Sequence, residues 1–535
     1  MTQVPRRGAG ALRPAALLTA AALALSACGG EPEGVLDVPY TFSGAVVAEE
    51  PQAATTAREV LLKGGSAADA VVAGAFAMTA TLPSRVGLMG GGACVVFDGG
   101  SRTGDSLVFR AEQGASGGMI PGFVRGLDAL HARYGFLRWP QLVASGEALA
   151  RFGGKTSRAF ARDAAQARQL LAGDPTLASI FLGPDGQPPR EGEPVEQVAL
   201  SVTLGQVRQN GLTAVYRGDF PEQLAAASRP LGQPLTAAEI RGYKVGYSAP
   251  LSVDFTEGTA FFAPPPAIGG LEGAQLAYLL TEEQDLADEE GAAALHLLAE
   301  AAQNVILARD GWRAPNGGAK VPIGPQLDED RMDALLAGYN PQRHQRPAGS
   351  GGLLAPGGER PDTPASASLI AVDYRGQAVA CSFSLGRLFG SGRLDPETGL
   401  LFATPENDSA QVLSPVVVGS ENSGKVLFLG AAAGGMAAQQ SLIRVMIQTF
   451  EEEGGLRRFI EQPRAAHNGY PDAVFAERIQ DQGVRSALEQ RGHRVEVVAQ
   501  IGALSAIYCP EGLAQPQLCQ VEADQRGFGL PARAD

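Results

Sequence analysis

The chain has 535 residues, 45% of them hydrophobic and 19% charged, a balance that supports a large buried core and excludes a wholly disordered or fibrous protein. Lysine and arginine number 43 against 57 acids, a formal net charge of -14, which excludes nucleic acid as the main partner because phosphate binding needs a basic surface. Glycine, at 69 residues, is nearly twice its usual ~7% share, so tight turns and close backbone approaches are expected.

Arg6, Arg7 and Arg13 precede an apolar run over residues 15–25 that leads into Leu25-Ser26-Ala27-Cys28. A positive flank, a short apolar stretch and small residues at a cleavage point read as an export signal, and the run is shorter than the ~20 residues a membrane span needs. Leu-Ser-Ala-Cys resembles the lipobox of bacterial lipoproteins. Residues 1–27 are therefore expected to be removed, Cys28 to carry lipid, and residues 28–36 to act as a tether. That predicts a periplasmic or cell-surface lipoprotein that meets the membrane only through its anchor.

Residues 52–63 carry helix-spaced apolar positions, which Gly64-Gly65 ends. Ser66-Ala67-Ala68-Asp69 then caps a second, Ala-rich helix to about Thr81, with Asp69 placed as the acid of a capping box. That helix has almost no polar face, as expected for one buried in a large domain. The glycine turn at residues 87–92 leads into a core strand over 93–98; no Lys-Ser/Thr follows it, so it is not a phosphate loop. Residues 126–310 read as mostly helical, broken by loops such as Gly183-Pro184-Asp185-Gly186 and Pro264-Pro265-Pro266. A Gly/Pro-rich stretch over 341–364 reads as an exposed linker. Two strands, 366–373 and 377–384, flank the turn Arg375-Gly376 and make a hairpin. The last third alternates strands (425–429, 494–498) with helices (439–452, 484–492).

Of the cysteines left after export, Cys94 and Cys381 sit in strand-like apolar runs and read as buried unpaired thiols, whereas Cys509 and Cys519 bracket a turn-rich stretch and are expected to pair. The histidines, His131, His296, His344, His467 and His493, lie apart without a zinc-ligand spacing. Neither a metal nor an organic cofactor is expected.

Several segments, in order, resemble the gamma-glutamyltransferase (gamma-glutamyltranspeptidase) family: Ala45-Val46-Val47-Ala48 through Gly64-Gly65-Ser66-Ala67-Ala68-Asp69-Ala70 with the glycine turn after it, Pro121-Gly122-Phe123-Val124-Arg125-Gly126-Leu127, Pro264-Pro265-Pro266-Ala267-Ile268-Gly269-Gly270, Gln462-Pro463-Arg464-Ala465-Ala466-His467 and Gly492-His493-Arg494-Val495. The resemblance implies an α/β (α+β) fold, the four-layer αββα sandwich of N-terminal nucleophile hydrolases. It would be one domain over 37–535, with a large-subunit part at 37–365 and a small-subunit part at 366–535. Family members cut their own chain before a threonine that stands seven residues ahead of a hairpin aspartate. Here that aspartate is Asp373, and the residue seven before it is Ser366.

Serine keeps both the hydroxyl and the amine of a new N-terminus, whose reference pKa of ~8 lets it accept the hydroxyl proton. It lacks only the β-methyl that stiffens χ1. Carried over residue by residue, the resemblance implies Arg110 and Asp408 for the α-carboxylate and α-amino ends of a glutamyl group, Gly434 and Gly435 for an oxyanion hole, and Ser384 as a hydroxyl beside the nucleophile. Departures are Ala367-Ser368 for Thr-His, Gly386 for an asparagine, and Gln411-Val412 for a serine pair. The implied activity is attack on γ-glutamyl amides such as glutathione, with the two fragments remaining associated. A related amidase of altered acyl specificity, like the cephalosporin acylases, and an uncut scaffold stay open at this point.

Overall fold

The computed structural model describes residues 1, 42–346, 365–404, 412–469 and 471–535. The export signal, Cys28, the tether, most of the linker and Asp408 lie outside the described residues.

Thirteen strands build two large sheets. In chain order they are β1 (Gly44–Ala48), β2 (Gly91–Asp98), β3 (Thr103–Val108), β4 (Gly246–Ser248), β5 (Leu251–Phe255), β6 (Gly258–Phe262), β7 (Ser366–Asp373), β8 (Gln377–Ser384), β9 (Val416–Gly419), β10 (Val426–Ala433), β11 (Ala503–Tyr508), β12 (Gln520–Ala523) and β13 (Leu530–Ala534). One sheet runs β13–β1–β7–β8–β2–β3–β4, the other β12–β11–β10–β9–β6–β5. Neighbouring strands in both are antiparallel. The hairpin predicted at residues 366–384 is the centre of the first sheet, and its turn glycine, Gly376, has φ 88°, which suits a residue without a Cβ. Residues 126–310 are mostly helical, as expected; strands β4 to β6 interrupt them, and their short runs, three to five residues long, give too little periodicity to read from sequence.

Alternation along the strands sorts the side chains onto two faces. Ile370, Val372, Ala380 and Val95 from the first sheet meet Val417, Leu429, Ala431 and Ile507 from the second in a core between the sheets. The opposite face of the first sheet (Leu369, Ala371, Val379, Phe383) packs on helices that include α1 (Pro51–Leu62) and α2 (Ala67–Thr81). The opposite face of the second (Phe262, Val416, Phe428, Leu504) packs on α3 (Ile268–Tyr278), α4 (Gly291–Trp312) and α5 (Gly435–Glu451). The result is the four-layer αββα sandwich.

Helix α2 is buried along its whole length, and its capping box is as the sequence implies: Ser66 Oγ accepts from the Asp69 amide at 3.0 Å and Asp69 Oδ2 from the Ser66 amide at 3.0 Å. A Cβ at Gly74 would come within 2.6 Å of Leu369 Cδ1, so the glycine is what lets the helix lie this close to β7.

Cys509 and Cys519 pair as expected. Cys94 and Cys381 also pair, which corrects the reading of two free thiols. They stand directly opposite each other on β2 and β8, so their Cβ atoms project together from one face of the sheet; strand register, which no local sequence pattern reveals, decides the bond.

Candidate active site

Ser366 is the first residue of β7 and is buried, 4% exposed. Cross-strand register lines it up with Ser384 on β8 and then Gly91 on β2. All three positions share a face with Ile370 and Val95, the face turned toward the second sheet. Ser384 donates from Oγ to the carbonyl oxygen of Ala365 at 3.2 Å and accepts from the Gly386 amide at 2.8 Å. The peptide carbonyl that precedes Ser366 is thus held by a hydroxyl from the neighbouring strand.

The second sheet brings Gly434 and Gly435 to the same end. Ser368 Oγ touches Ser505 Oγ at 2.8 Å, and Ser505 pairs with Ala431. Further along, the Phe97 ring stacks on Phe261 and meets Gly419, which pairs with Val426. Phe97 itself pairs with Ala378, and Ala378 with Val372. The Val372 end of β7 therefore faces the Val426 end of β10, and the Ser366 end faces Ala433 and the two glycines after it.

Gly434 has φ 125° and Gly435 φ 69°, and α5 starts at Gly435. A side chain at Gly434 would put its Cβ 2.7 Å from Gly502 Cα. The sequence -Ala-Gly-Gly- is what permits a strand to turn into a helix here with the first amides of a 17-residue helix facing outward. Those amides carry the positive end of the helix dipole, a suitable environment for a developing oxyanion.

Arg110 follows β3 and lies backbone to backbone against Gly91, where a Cβ would sit 2.5 Å from its carbonyl carbon. It stands in the same row as Ser366 and Ser384, three strands away, or about 14 Å at ~4.8 Å per strand. Its buried guanidinium donates to the carbonyls of Pro266 at 3.0 Å and Asn316 at 3.4 Å. Pro266 precedes α3, whose Gly269 carbonyl accepts from the Gln439 amide on the first turns of α5. The arginine head is thus tied to the segment that leads into α3, the helix that Gln439 of α5 also contacts. Asp408 lies outside the described residues, but both flanks of its segment are at the site: the Thr404 amide donates to Leu385 at 3.1 Å, and a Cβ at Gly269 would be 2.7 Å from the Leu413 carbonyl. Gly386, at the family asparagine position, has φ 89°, and a Cβ there would lie 2.4 Å from the Thr404 carbonyl, so an asparagine does not fit this backbone. Ser382 and Ser414 keep buried hydroxyls without a hydrogen-bond partner among the described residues.

One group of residues at the site escaped the sequence reading. Arg85, fully buried, donates from Nε and Nη2 to Asp163 at 2.6 and 2.8 Å, and from Nη1 to Glu49 at 2.9 Å and to the Ser366 carbonyl at 3.4 Å. Glu49 in turn accepts from the Ser368 amide at 3.1 Å and hydroxyl at 2.7 Å. A single guanidinium serves two carboxylates and gives its fork to Asp163. Burial pushes Glu49 up to about 7, against the pull of Arg85 and the bonds from Ser368. Burial opposes the charge on Arg85, but Asp163 and then Glu49 outweigh it and hold its pKa up. In sequence these residues look like ordinary charges after a strand, between a helix and a strand and within a helix, 114 positions apart end to end, and only their burial distinguishes them.

The histidines, apart in sequence, are not apart in space: His296, His344, His467 and His493 meet in one cluster with Glu300 and Asp472.

Comparison with known proteins agrees with the fold. The family described as Gamma-glutamyltranspeptidase matches residues 53–532. The chain is 26% identical over 532 residues to the Acylase ACY 1 proenzyme of Pseudomonas sp. (strain V22), covering 90% of this chain and 93% of that protein. It is 24% identical over 544 residues to the Glutathione hydrolase proenzyme of Escherichia coli (strain K12), covering 90% and 91%. Among solved structures, cephalosporin acylase from Bacillus halodurans superposes with a TM-score of 0.74 at 19% identity, over 94% of this chain and 99% of that one, a likeness of fold.

Proposed function

The chain belongs to the gamma-glutamyltranspeptidase family, a family of enzymes, and from that premise we propose that it is a self-processing amide hydrolase whose nucleophile is Ser366. The observation that carries the proposal is the bond from Ser384 Oγ to the Ala365 carbonyl, next to Ser366. Attack of Ser366 Oγ on that carbonyl carbon breaks the 365–366 peptide bond and forms an ester, while the Ser366 nitrogen leaves as a free amine. Water then hydrolyses the ester and frees both the hydroxyl and the new terminus. In turnover the amine takes the hydroxyl proton as Oγ attacks the substrate carbonyl, the Gly434 and Gly435 region stabilises the oxyanion, and the leaving amine departs with a proton. Water or an acceptor amine releases the acyl group from Ser366.

The substrate class on this reading is a γ-glutamyl amide such as glutathione, with Arg110 toward the α-carboxylate and Asp408 toward the α-amino group. The word proenzyme in the names of the acylase and the glutathione hydrolase supports processing. A second reading, an acylase for amides that lack the α-amino group, is favoured by Gly386, whose φ and contact with Thr404 leave no room for the family asparagine, and by the similarity to the Pseudomonas acylase. Export and lipid attachment at Cys28 complete the proposal.

The test is a reducing denaturing gel with sequencing of the smaller fragment. Two fragments, the smaller beginning at Ser366 and absent from Ser366→Ala, support it. A single intact chain that Ser366→Ala does not alter would overturn it in favour of an uncut scaffold. A γ-glutamyl anilide compared with the matching glutaryl anilide then decides between the two acyl specificities.

A further inference from the structure

Helix α4 carries His296 and Glu300 one turn apart, so both project from the same face. His493, nearly two hundred residues later, closes on them. His296 Nδ1 and His493 Nε2 are 2.7 Å apart, Glu300 Oε1 is 3.9 Å from the first and 3.7 Å from the second, and all three residues are buried. Points at those separations lie on a circle of radius about 2.0 Å, the length of a zinc–imidazole or zinc–carboxylate bond. We propose that His296 Nδ1, His493 Nε2 and Glu300 Oε1 bind a divalent transition-metal ion of the zinc class.

The surroundings are those of a metal site. His296 Nε2 lies 2.9 Å from the carbonyl oxygen of Asn340. A carbonyl only accepts, so the ring proton is on Nε2 and the Nδ1 lone pair points into the triangle, the arrangement that outer partners impose on metal-bound histidines. Glu300 is oriented from outside the triangle in the same way: His344 Nδ1 lies 2.6 Å from Oε1, and the Gln345 amide donates to Oε2 at 3.1 Å. Two imidazoles and one carboxylate match zinc, cobalt or nickel; calcium and magnesium prefer all-oxygen sets. At that radius the ion lies in the plane of the three donors, which leaves the two sides of the plane to water.

The place of the site suggests its role. His296 and Arg309 lie on the same helix thirteen residues apart, about 20 Å at 1.5 Å per residue, and Arg309 is the residue that donates to Met436 at the start of α5. The three proposed ligands are buried and His296 lies well along α4 from Arg309, while His467 of the same cluster exchanges hydrogen bonds with Gln440 on α5, and the ion would be structural. It would pin α4 and the 493 turn to the stretch at residues 340–345, where the His344 amide also donates to the Arg491 carbonyl at 2.7 Å. The proposal does not depend on processing before Ser366.

Full-length protein bearing no histidine tag, dialysed against micromolar zinc and then zinc-free buffer, is assayed for metal by plasma mass spectrometry and for thermal melting. The expected result is about one zinc per chain, a melting temperature raised relative to chelator-treated protein, and at least a tenfold loss of bound zinc in His493→Ala and in His296→Ala. His131→Ala, at the one histidine outside the cluster, keeps its zinc. Wild-type protein that melts cooperatively but holds no zinc would overturn the proposal and leave a hydrogen-bonded cluster only. So would zinc retained by both His493→Ala and His296→Ala, since the ion would then sit elsewhere.

Discussion

Cys94 and Cys381 face each other across β2 and β8, and their sulfurs are bonded. One belongs to the part of the chain before residue 365 and the other to the part after it, so the bond joins the two fragments that cleavage before Ser366 would create. The Cys509–Cys519 bond lies wholly within the second part. Without reductant, processed protein should therefore run on a denaturing gel as one species, and with reductant as two. Cys94→Ser should give two bands in both lanes and lower stability by about 2–5 kcal/mol. Two bands from wild type in the non-reducing lane would contradict the pairing.

Replacing Gly434 by alanine forces a side chain into φ 125° and against Gly502. The turn that aims the first amides of α5 must then shift. Turnover should fall by about 10²–10³-fold, the usual loss on removing an oxyanion donor, with KM changed much less than kcat. Steady-state kinetics on processed enzyme provide the check; an unaltered kcat would remove Gly434 from the oxyanion site.

Arg85 is the only cation that donates to both Asp163 and Glu49 among the described residues. Arg85→Leu removes the main cation from two buried carboxylates, leaving Asp163 with Arg162 at 3.7 Å and Glu49 with the bonds from Ser368, and should cost about 3–5 kcal/mol. Adding Glu49→Gln and Asp163→Asn removes those charges, so the triple variant should melt above the single one. Calorimetry that places the triple variant at or below Arg85→Leu would show that packing, not charge, sets the cost.

Glu49 gives stability a pH dependence of fixed sign. Its folded pKa is raised from 4.5 to about 7 by burial, so between those values the folded chain holds a proton that the unfolded chain has released. The contribution is complete below pH 4.5 and is lost as pH rises through 7, at no more than about 1.4 kcal/mol per pH unit. Melting temperatures of wild type and Glu49→Gln, measured from pH 5 to 8, should converge or cross in the direction of wild type losing ground as pH rises. A constant difference would place the Glu49 pKa outside that window.

Sequence alone determined the features that depend on neighbours along the chain. The capping box of Ser66 and Asp69 and the hairpin around Arg375-Gly376 are each specified by residue types a few positions apart, because caps and turns are local requirements. Motif order along the chain was likewise enough for the family and the sandwich. Tertiary structure decided what depends on register and burial. It paired Cys94 with Cys381, set Ser384 on the Ala365 carbonyl, and buried Arg85 between Glu49 and Asp163. It also folded three scattered histidines around Glu300 and joined His467 to them through Asp472. A strand slipped by one residue turns every one of its side chains to the opposite face, so contacts of this kind exist only once the sheets and helices have been stacked against each other.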